Sequence, residues 1–166
     1  MLSALSCTPC LFSFCALGAL FELDNLRAGQ LMLARPIVLG PLLGWFLGDA
    51  GRGALLGATV EILTLESLPL GSLVPLNGTV AVCAAAWVGQ NPDAPGFGLA
   101  GGLLLGWLFA RAETFLRNAY GRFNARFEEA WRRGRDIPAG TLLLSAAGTH
   151  WACCALTLVC GVTFLE

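Results

Sequence analysis

Two carboxylates lie in a stretch that is otherwise almost wholly apolar. Residues 35–77, RPIVLGPLLGWFLGDAGRGALLGATVEILTLESLPLGSLVPLN, hold Glu61 and Glu66 among leucine, glycine and valine. Ionisable groups are expensive in such surroundings and persist where they face a cavity, a partner or a polar ligand. A carboxylate accepts at several lone pairs and makes charge-assisted bonds, which suits Glu61 to hold the hydroxyls of a sugar-like ligand. The structural alternative is a carboxylate paired with Arg35 or Arg52 to hold helices together. From the residues alone the two readings stand even. On a helix Thr64 falls on a face adjacent to Glu61, whereas Glu66 lies about 140° round from it. The two glutamates are therefore not expected to act as a catalytic pair, and Glu66 is read as a solvated segment end.

Asn77 follows Val74-Pro75-Leu76 and carries both donors and an acceptor. Capping the next helix is its first expected role, ligand contact its second. Asp49 precedes Gly51 and Gly53 and is expected to shape a turn. His150, the only histidine, sits in SAAGTHWACC with no carboxylate or Ser/Cys partner at usable spacing. It is expected to be a buried, hydrogen-bonded helix residue. The seven cysteines are Cys7, Cys10, Cys15, Cys83, Cys153, Cys154 and Cys160. They lie in apolar runs and lack the second Cys/His pair that zinc spacing demands, so packing is their expected role. No phosphate-cradling GxxxxGK[ST] loop and no nucleophile elbow occurs. Neither a metal nor a cofactor is expected, and the chain does not read as an enzyme.

These residues must be positioned by membrane helices. The chain has 166 residues, 56% of them hydrophobic, and a mean hydropathy of +0.70. Only 13% are charged, where a soluble domain carries about 25%. There is no lysine, and Arg111, Arg117, Arg122, Arg126, Arg132, Arg133 and Arg135 crowd one block. That block is accounted for topologically, and no nucleic-acid surface remains. The N-terminal run MLSALSCTPCLFSFCALGALF lacks a positive n-region and is long enough to span, so it is read as a retained helix over about 2–21 rather than a signal peptide. The connector ELDNLRAGQ is expected at the interface.

Segments 31–48 and 54–68 are short against the roughly 20 residues a span requires, and Pro69, Gly71 and Pro75 interrupt the chain after them. Short apolar pieces broken by Gly and Pro are the pattern of re-entrant or discontinuous helices. Helices are expected at about 77–90, 97–112 and 138–164. The block 111–136, with Leu116, Tyr120, Phe123, Phe127 and Trp131 on one stripe, is expected to be amphipathic, interfacial and cytoplasmic, with 90–96 on the opposite side. Gly40, Gly44 and Gly48, and likewise Gly98, Gly102 and Gly106, recur at four-residue spacing and predict close helix packing. The fold class is all-α: one membrane domain, 1–166, forming a multi-pass transmembrane bundle with short re-entrant or discontinuous helices.

The sequence of residues 35–61 closely resembles the signature of the IIC membrane subunit of mannose/fructose/sorbose-type sugar phosphotransferase systems. Arg35-Pro36, Leu47-Gly48-Asp49, Gly51/Gly53 and Gly57-Ala58-Thr59-Val60-Glu61 carry the likeness, which continues more loosely through Gly71, Pro75 and the arginine block. Where the family commonly shows Ala-Pro-Asp, this chain has Pro75-Leu76-Asn77, and Pro69 replaces an Asn. The resemblance implies a sugar-translocating subunit in the cell inner membrane, paired with a homologous IID subunit as a homo- and hetero-oligomer. A hexose-type sugar would be phosphorylated by a partner IIB protein fed by IIA, so this chain would not be the phosphoryl donor. It also implies a sugar-binding role for Glu61, with Asn77 and Thr64 beside it. Members of the family are longer, so the chain reads as a C-terminally reduced member. A permease is the first expectation, and a non-transporting scaffold of the same complex the alternative.

Overall fold

The computed structural model describes residues 8–26, 31–65, 75–89, 95–134 and 139–165. Among them are six helices and no strand: α1 (Thr8–Leu26), α2 (Pro36–Leu47), α3 (Ala50–Thr64), α4 (Gly78–Val88), α5 (Pro95–Arg132) and α6 (Ala139–Leu165). Glu66, Pro69 and Gly71 lie outside the described residues, as does loop 90–94.

The shortest helix is the innermost. GTVAVCAAAWV is apolar on every face, and a helix hydrophobic all round has no face to give to water. Residues 79–87 of α4 are accordingly all buried, and α4 touches each of the other five helices. Phe14 of α1 stacks obliquely on Trp87, with ring centroids 4.9 Å apart. Leu39, Leu43, Phe109, Leu158 and Val162 complete the core around α4.

Small residues set the spacing. A methyl group added at Gly40 would lie 2.4 Å from the Gly53 carbonyl oxygen, and one at Gly44 2.7 Å from Gly53 Cα. The α2 and α3 backbones thus touch directly, glycine on glycine. Gly98, Gly102 and Gly106 of α5 do the same against Gly89, Ala81 and Ala85, and Asn77 of α4's start. Gly48 departs from its expected place in the first ladder. It has φ +94° with open space around it, and it ends α2 in the left-handed conformation that glycine adopts at no steric cost. Asp49 then caps α3 by accepting the Arg52 N–H at 2.9 Å, so two residues turn the chain back on itself.

α1 continues through Glu22 and Asp24 to Leu26, past the boundary expected near Phe21. Asp24 accepts the backbone N–H groups of Leu31 and Leu33, both at 2.9 Å, and so ties down the approach to α2. α5 is one continuous helix through the arginine block. Glu113–Arg117, Glu128–Arg132 and Glu129–Arg133 pair along it at i,i+4, glutamate N-terminal to arginine, the favourable order on a helix. Arg111 lies over the Trp107 ring, and Tyr120 reaches Ala146 O and Thr149 on α6.

Candidate functional site where three helix ends converge

The start of α2, the end of α3 and the start of α4 meet at one place. Arg35 precedes Pro36, the first residue of α2, whose fixed φ and missing N–H suit a helix start. No side chain of its own caps this helix; Glu61 of α3 supplies the acceptor instead. Its Oε2 accepts the Ile37 N–H at 3.4 Å while Oε1 accepts from the Arg35 guanidinium at 3.0 Å. The carboxylate is 12% exposed and the arginine 55%. Backbone N–H and guanidinium together hold the Glu61 side chain in place at the start of α2.

Thr64, one turn on, donates its hydroxyl to the Val60 carbonyl at 2.9 Å. A methyl on Gly78 would meet Pro36 at 2.8 Å and Thr64 Oγ1 at 3.6 Å, which places the first residue of α4 against both other helix ends. Thr79 extends the junction by donating to Ala34 O at 3.0 Å. Asn77 caps α4: its Oδ1 accepts the Val80 N–H at 2.9 Å. Its amide nitrogen points the other way and donates to Glu22 Oε1 at 2.6 Å.

The structure therefore brings Glu61 and Thr64 together with the start of α4, but buries the Asn77 side chain inward, where both its ends are occupied by protein. The ion pair with Arg35, one of the two partners weighed from sequence, is formed; Arg52 instead donates to Gly89 O at 3.3 Å. Pairing does not exhaust Glu61. A carboxylate has about four acceptor sites, and two are used. The junction thus offers a held carboxylate and a half-exposed guanidinium with further donors, beside the Thr64 hydroxyl. That is hydrogen-bonding equipment for a neutral polyhydroxyl ligand. Among the described residues no group of three His, Cys, Asp or Glu side chains is arranged to hold a metal ion.

Over residues 10–165 the chain matches the family model described as the PTS system sorbose-specific IIC component. The chain belongs to that family. It is also 41% identical over 69 residues to a protein of Escherichia coli (strain K12) described as "Putative N-acetylgalactosamine permease IIC component 2", a stretch covering 39% of this chain and 52% of that protein. The alignment thus spans about half the length of this curated relative. α5 and α6 contain stretches, Gly96–Gly121 and Leu143–Leu165, long and apolar enough to cross a bilayer.

Sequence reasoning missed one group. Glu22, assigned to an interfacial connector, is fully buried, and His150 lies 3.8 Å from it rather than lacking a carboxylate. A signal for it existed. Cys15, Ala19 and Glu22 share one helical face of α1, as His150, Cys154 and Leu158 do on α6, and each face is buried.

Proposed function

We propose that the chain is the sugar-translocating IIC subunit of a mannose-type, phosphoenolpyruvate-dependent phosphotransferase system. It binds a hexose-type sugar at the three-helix junction and delivers it, across the cell inner membrane, to a IIB protein that is phosphorylated through IIA. A IID subunit completes the membrane unit. The observation that carries this reading is Glu61: a carboxylate held at the end of a short helix, beside another helix start, with acceptor capacity left over. Thr64 and the α3 carbonyls lie within the same junction. Asn77 acts from beneath it, fixing the first turn of α4 rather than presenting its own amide. Phosphoryl transfer belongs to the partners, and the chain itself carries out no covalent step.

The apolar outer faces support a multi-pass membrane setting. Leu143, Leu144, Leu156 and Phe164 of α6, and Trp45, Leu55 and Ile62 of the α2–α3 hairpin, are all exposed in the single chain. Lipid or a partner subunit would cover them. The density of arginine supports a cytoplasmic setting for residues 111–135, with 90–96 on the outer side.

Glu61→Gln tests the site. It keeps the shape and removes the charge, weakening charge-assisted bonds to hydroxyls by about 1–2 kcal/mol. Sugar uptake by cells supplying the IIA, IIB and IID proteins should fall roughly tenfold at limiting sugar, with insertion and assembly retained. Undiminished uptake would remove Glu61 from the sugar site. If the unaltered chain assembled with its partners but moved no sugar, the scaffold alternative would hold instead. Cysteine labelling at positions 91 and 124 should report opposite sides of the membrane, and labelling from one side would defeat the topology.

A further inference from the structure

The outward face of α5 changes character along its length. Leu104, Trp107, Leu108, Arg111 and Phe115 recur at helical spacing and are all exposed, so they form one stripe. Eleven residues make three turns and about 20° more, so position 122 of the same helix continues that stripe. The stripe is apolar or aromatic as far as Leu108 and then turns cationic, with the Arg111 guanidinium 5.1 Å from the centre of the Trp107 ring. Across the helix the charges are arranged otherwise: Arg117 meets Glu113, a buried carboxylate, at 2.7 Å. We propose that the stripe from Trp107 to Arg122 is a binding site for the phosphate headgroup of an anionic phospholipid in the cytoplasmic leaflet.

Length decides the level. From Phe97, where the apolar run starts, α5 rises about 21 Å to Arg111 and about 37 Å to Arg122. The hydrocarbon layer is about 30 Å thick, so the two positions bracket the inner phosphates, one within the layer and one beyond it. A guanidinium within the layer is costly unless it snorkels to an anion or an anion is drawn down to it. The face of the Trp107 ring steadies the Arg111 guanidinium, whose in-plane N–H donors match phosphate oxygens in bidentate geometry. Charge then selects the headgroup. Residues 111–126 hold four arginines and one acid, Glu113, which favours a lipid of net negative charge over a zwitterionic one. The far end of α5 lacks this bias, because Glu128–Arg132 and Glu129–Arg133 pair there within the helix. A free phosphate ion would meet the same arginines but would leave Leu104, Leu108 and Phe115 bare, where acyl chains beneath a headgroup would cover them.

The site rests on α5 crossing the bilayer with its arginine block cytoplasmic, not on the sugar junction, and its test contains no sugar. The full chain is purified in detergent with equal amounts of phosphatidylglycerol and phosphatidylcholine, and retained lipid is counted by native mass spectrometry. The unaltered chain should retain phosphatidylglycerol roughly fivefold or more over phosphatidylcholine, and Arg111→Gln/Arg122→Gln should abolish the preference. Arg132→Gln/Arg133→Gln removes the same charge at the far end of the helix and should leave the preference intact. If the first double variant does not fold, Arg122→Gln alone should lower the preference roughly twofold or more, and no change would overturn the site. Equal retention of the two lipids by the unaltered chain, or equal losses from the two double variants, would overturn it as well. So would displacement of phosphatidylglycerol by millimolar inorganic phosphate, the mark of an ion site, or by a co-purified IID protein, the mark of a protein interface. A lipid preference kept by a chain that moves no sugar would leave this site standing while the transport reading fell.

Discussion

The α2–α3 hairpin and the α1–α4–α6 cluster each bring a carboxylate into apolar surroundings, by opposite means. Glu61 is reached within one local unit. A two-residue turn folds α3 onto α2, glycines let the backbones touch, and the carboxylate lands on the N-terminal turn of α2 beside the half-exposed Arg35. Glu22 is met by residues distant in the chain. Its hydrogen bond to Asn77 spans 55 residues, and His150 comes from the last helix. The first carboxylate keeps contact with the outside and spare acceptor capacity; the second is sealed. An edge carboxylate can exchange protein partners for ligand, and a sealed one can serve only the protein. Substitutions at the two places should therefore differ in both size and kind.

The largest expected effect lies in the hairpin backbone. Gly44→Leu would drive a side chain into Asp49 O and Gly53 Cα, atoms that cannot yield as a flexible side chain can. A destabilisation of about 3 kcal/mol or more is expected, the upper end for overpacking. Leu43→Ala should do less harm, since it deletes a buried side chain but leaves the helices at their spacing. Size-exclusion yield and thermal unfolding in detergent would rank the two. Equal or reversed losses would show that glycine contact is not what closes the hairpin.

Next comes the sealed cluster. Asn77→Asp preserves the cap, because aspartate serves as well as asparagine at that position. It replaces the donor facing Glu22 with a second acceptor where an amide now sits at 2.6 Å. The expected loss is about 2–3 kcal/mol, the upper range for leaving a buried hydrogen-bonding group without its partner. Asn77→Ser, which also caps but reaches less far, should cost less. Were both variants to unfold at the temperature of the unaltered protein, Asn77 would be a cap and nothing more.

What could be read from sequence follows the same division. The turn at Asp49, the cap at Asn77 and the contact faces of Gly40, Gly44, Gly98, Gly102 and Gly106 were all legible, because each depends on residue type at short spacing. So was Arg35 as a partner for Glu61, since the turn between them was visible. Gly48 was legible as glycine but not as a stop, because its four-residue spacing imitates a packing ladder, and only its φ separates the two roles. Glu22 and His150 were not legible as a pair. Nothing local distinguishes a glutamate at the end of an apolar run that leaves the membrane from one that turns inward. The choice is made by α4, which covers that face of α1 only after the chain has folded.

A smaller effect is expected where the edge pair is cut from its exposed side. Arg35→Gln removes the guanidinium but leaves Glu61 on the Ile37 N–H at the helix start. With Arg35 55% exposed, the stability change should stay below about 1 kcal/mol. Uptake should fall by more than this stability change alone would cause, because a donor is lost from the proposed sugar site. A stability loss matching that of Asn77→Asp would erase the distinction between edge and sealed carboxylates.

The smallest effect tests whether the glycine argument is about place or about residue type. Gly148 lies inside α6, is exposed, and would meet nothing within 4 Å if it carried a methyl. Gly148→Ala should therefore leave stability unchanged or raise it by about 0.5–1 kcal/mol, the conformational penalty that glycine carries in a helix. Gly44→Ala, the same chemical change, should instead be destabilising, because the added methyl would stand 2.5 Å from Asp49 O. Opposite signs at the two positions would tie the hairpin's glycines to backbone contact. Loss of assembly at Gly148→Ala without loss of chain stability would carry separate information. Little of that stretch of α6 is buried by its own chain, so such a loss would mean that a neighbouring subunit packs there against glycine as closely as α3 packs against α2.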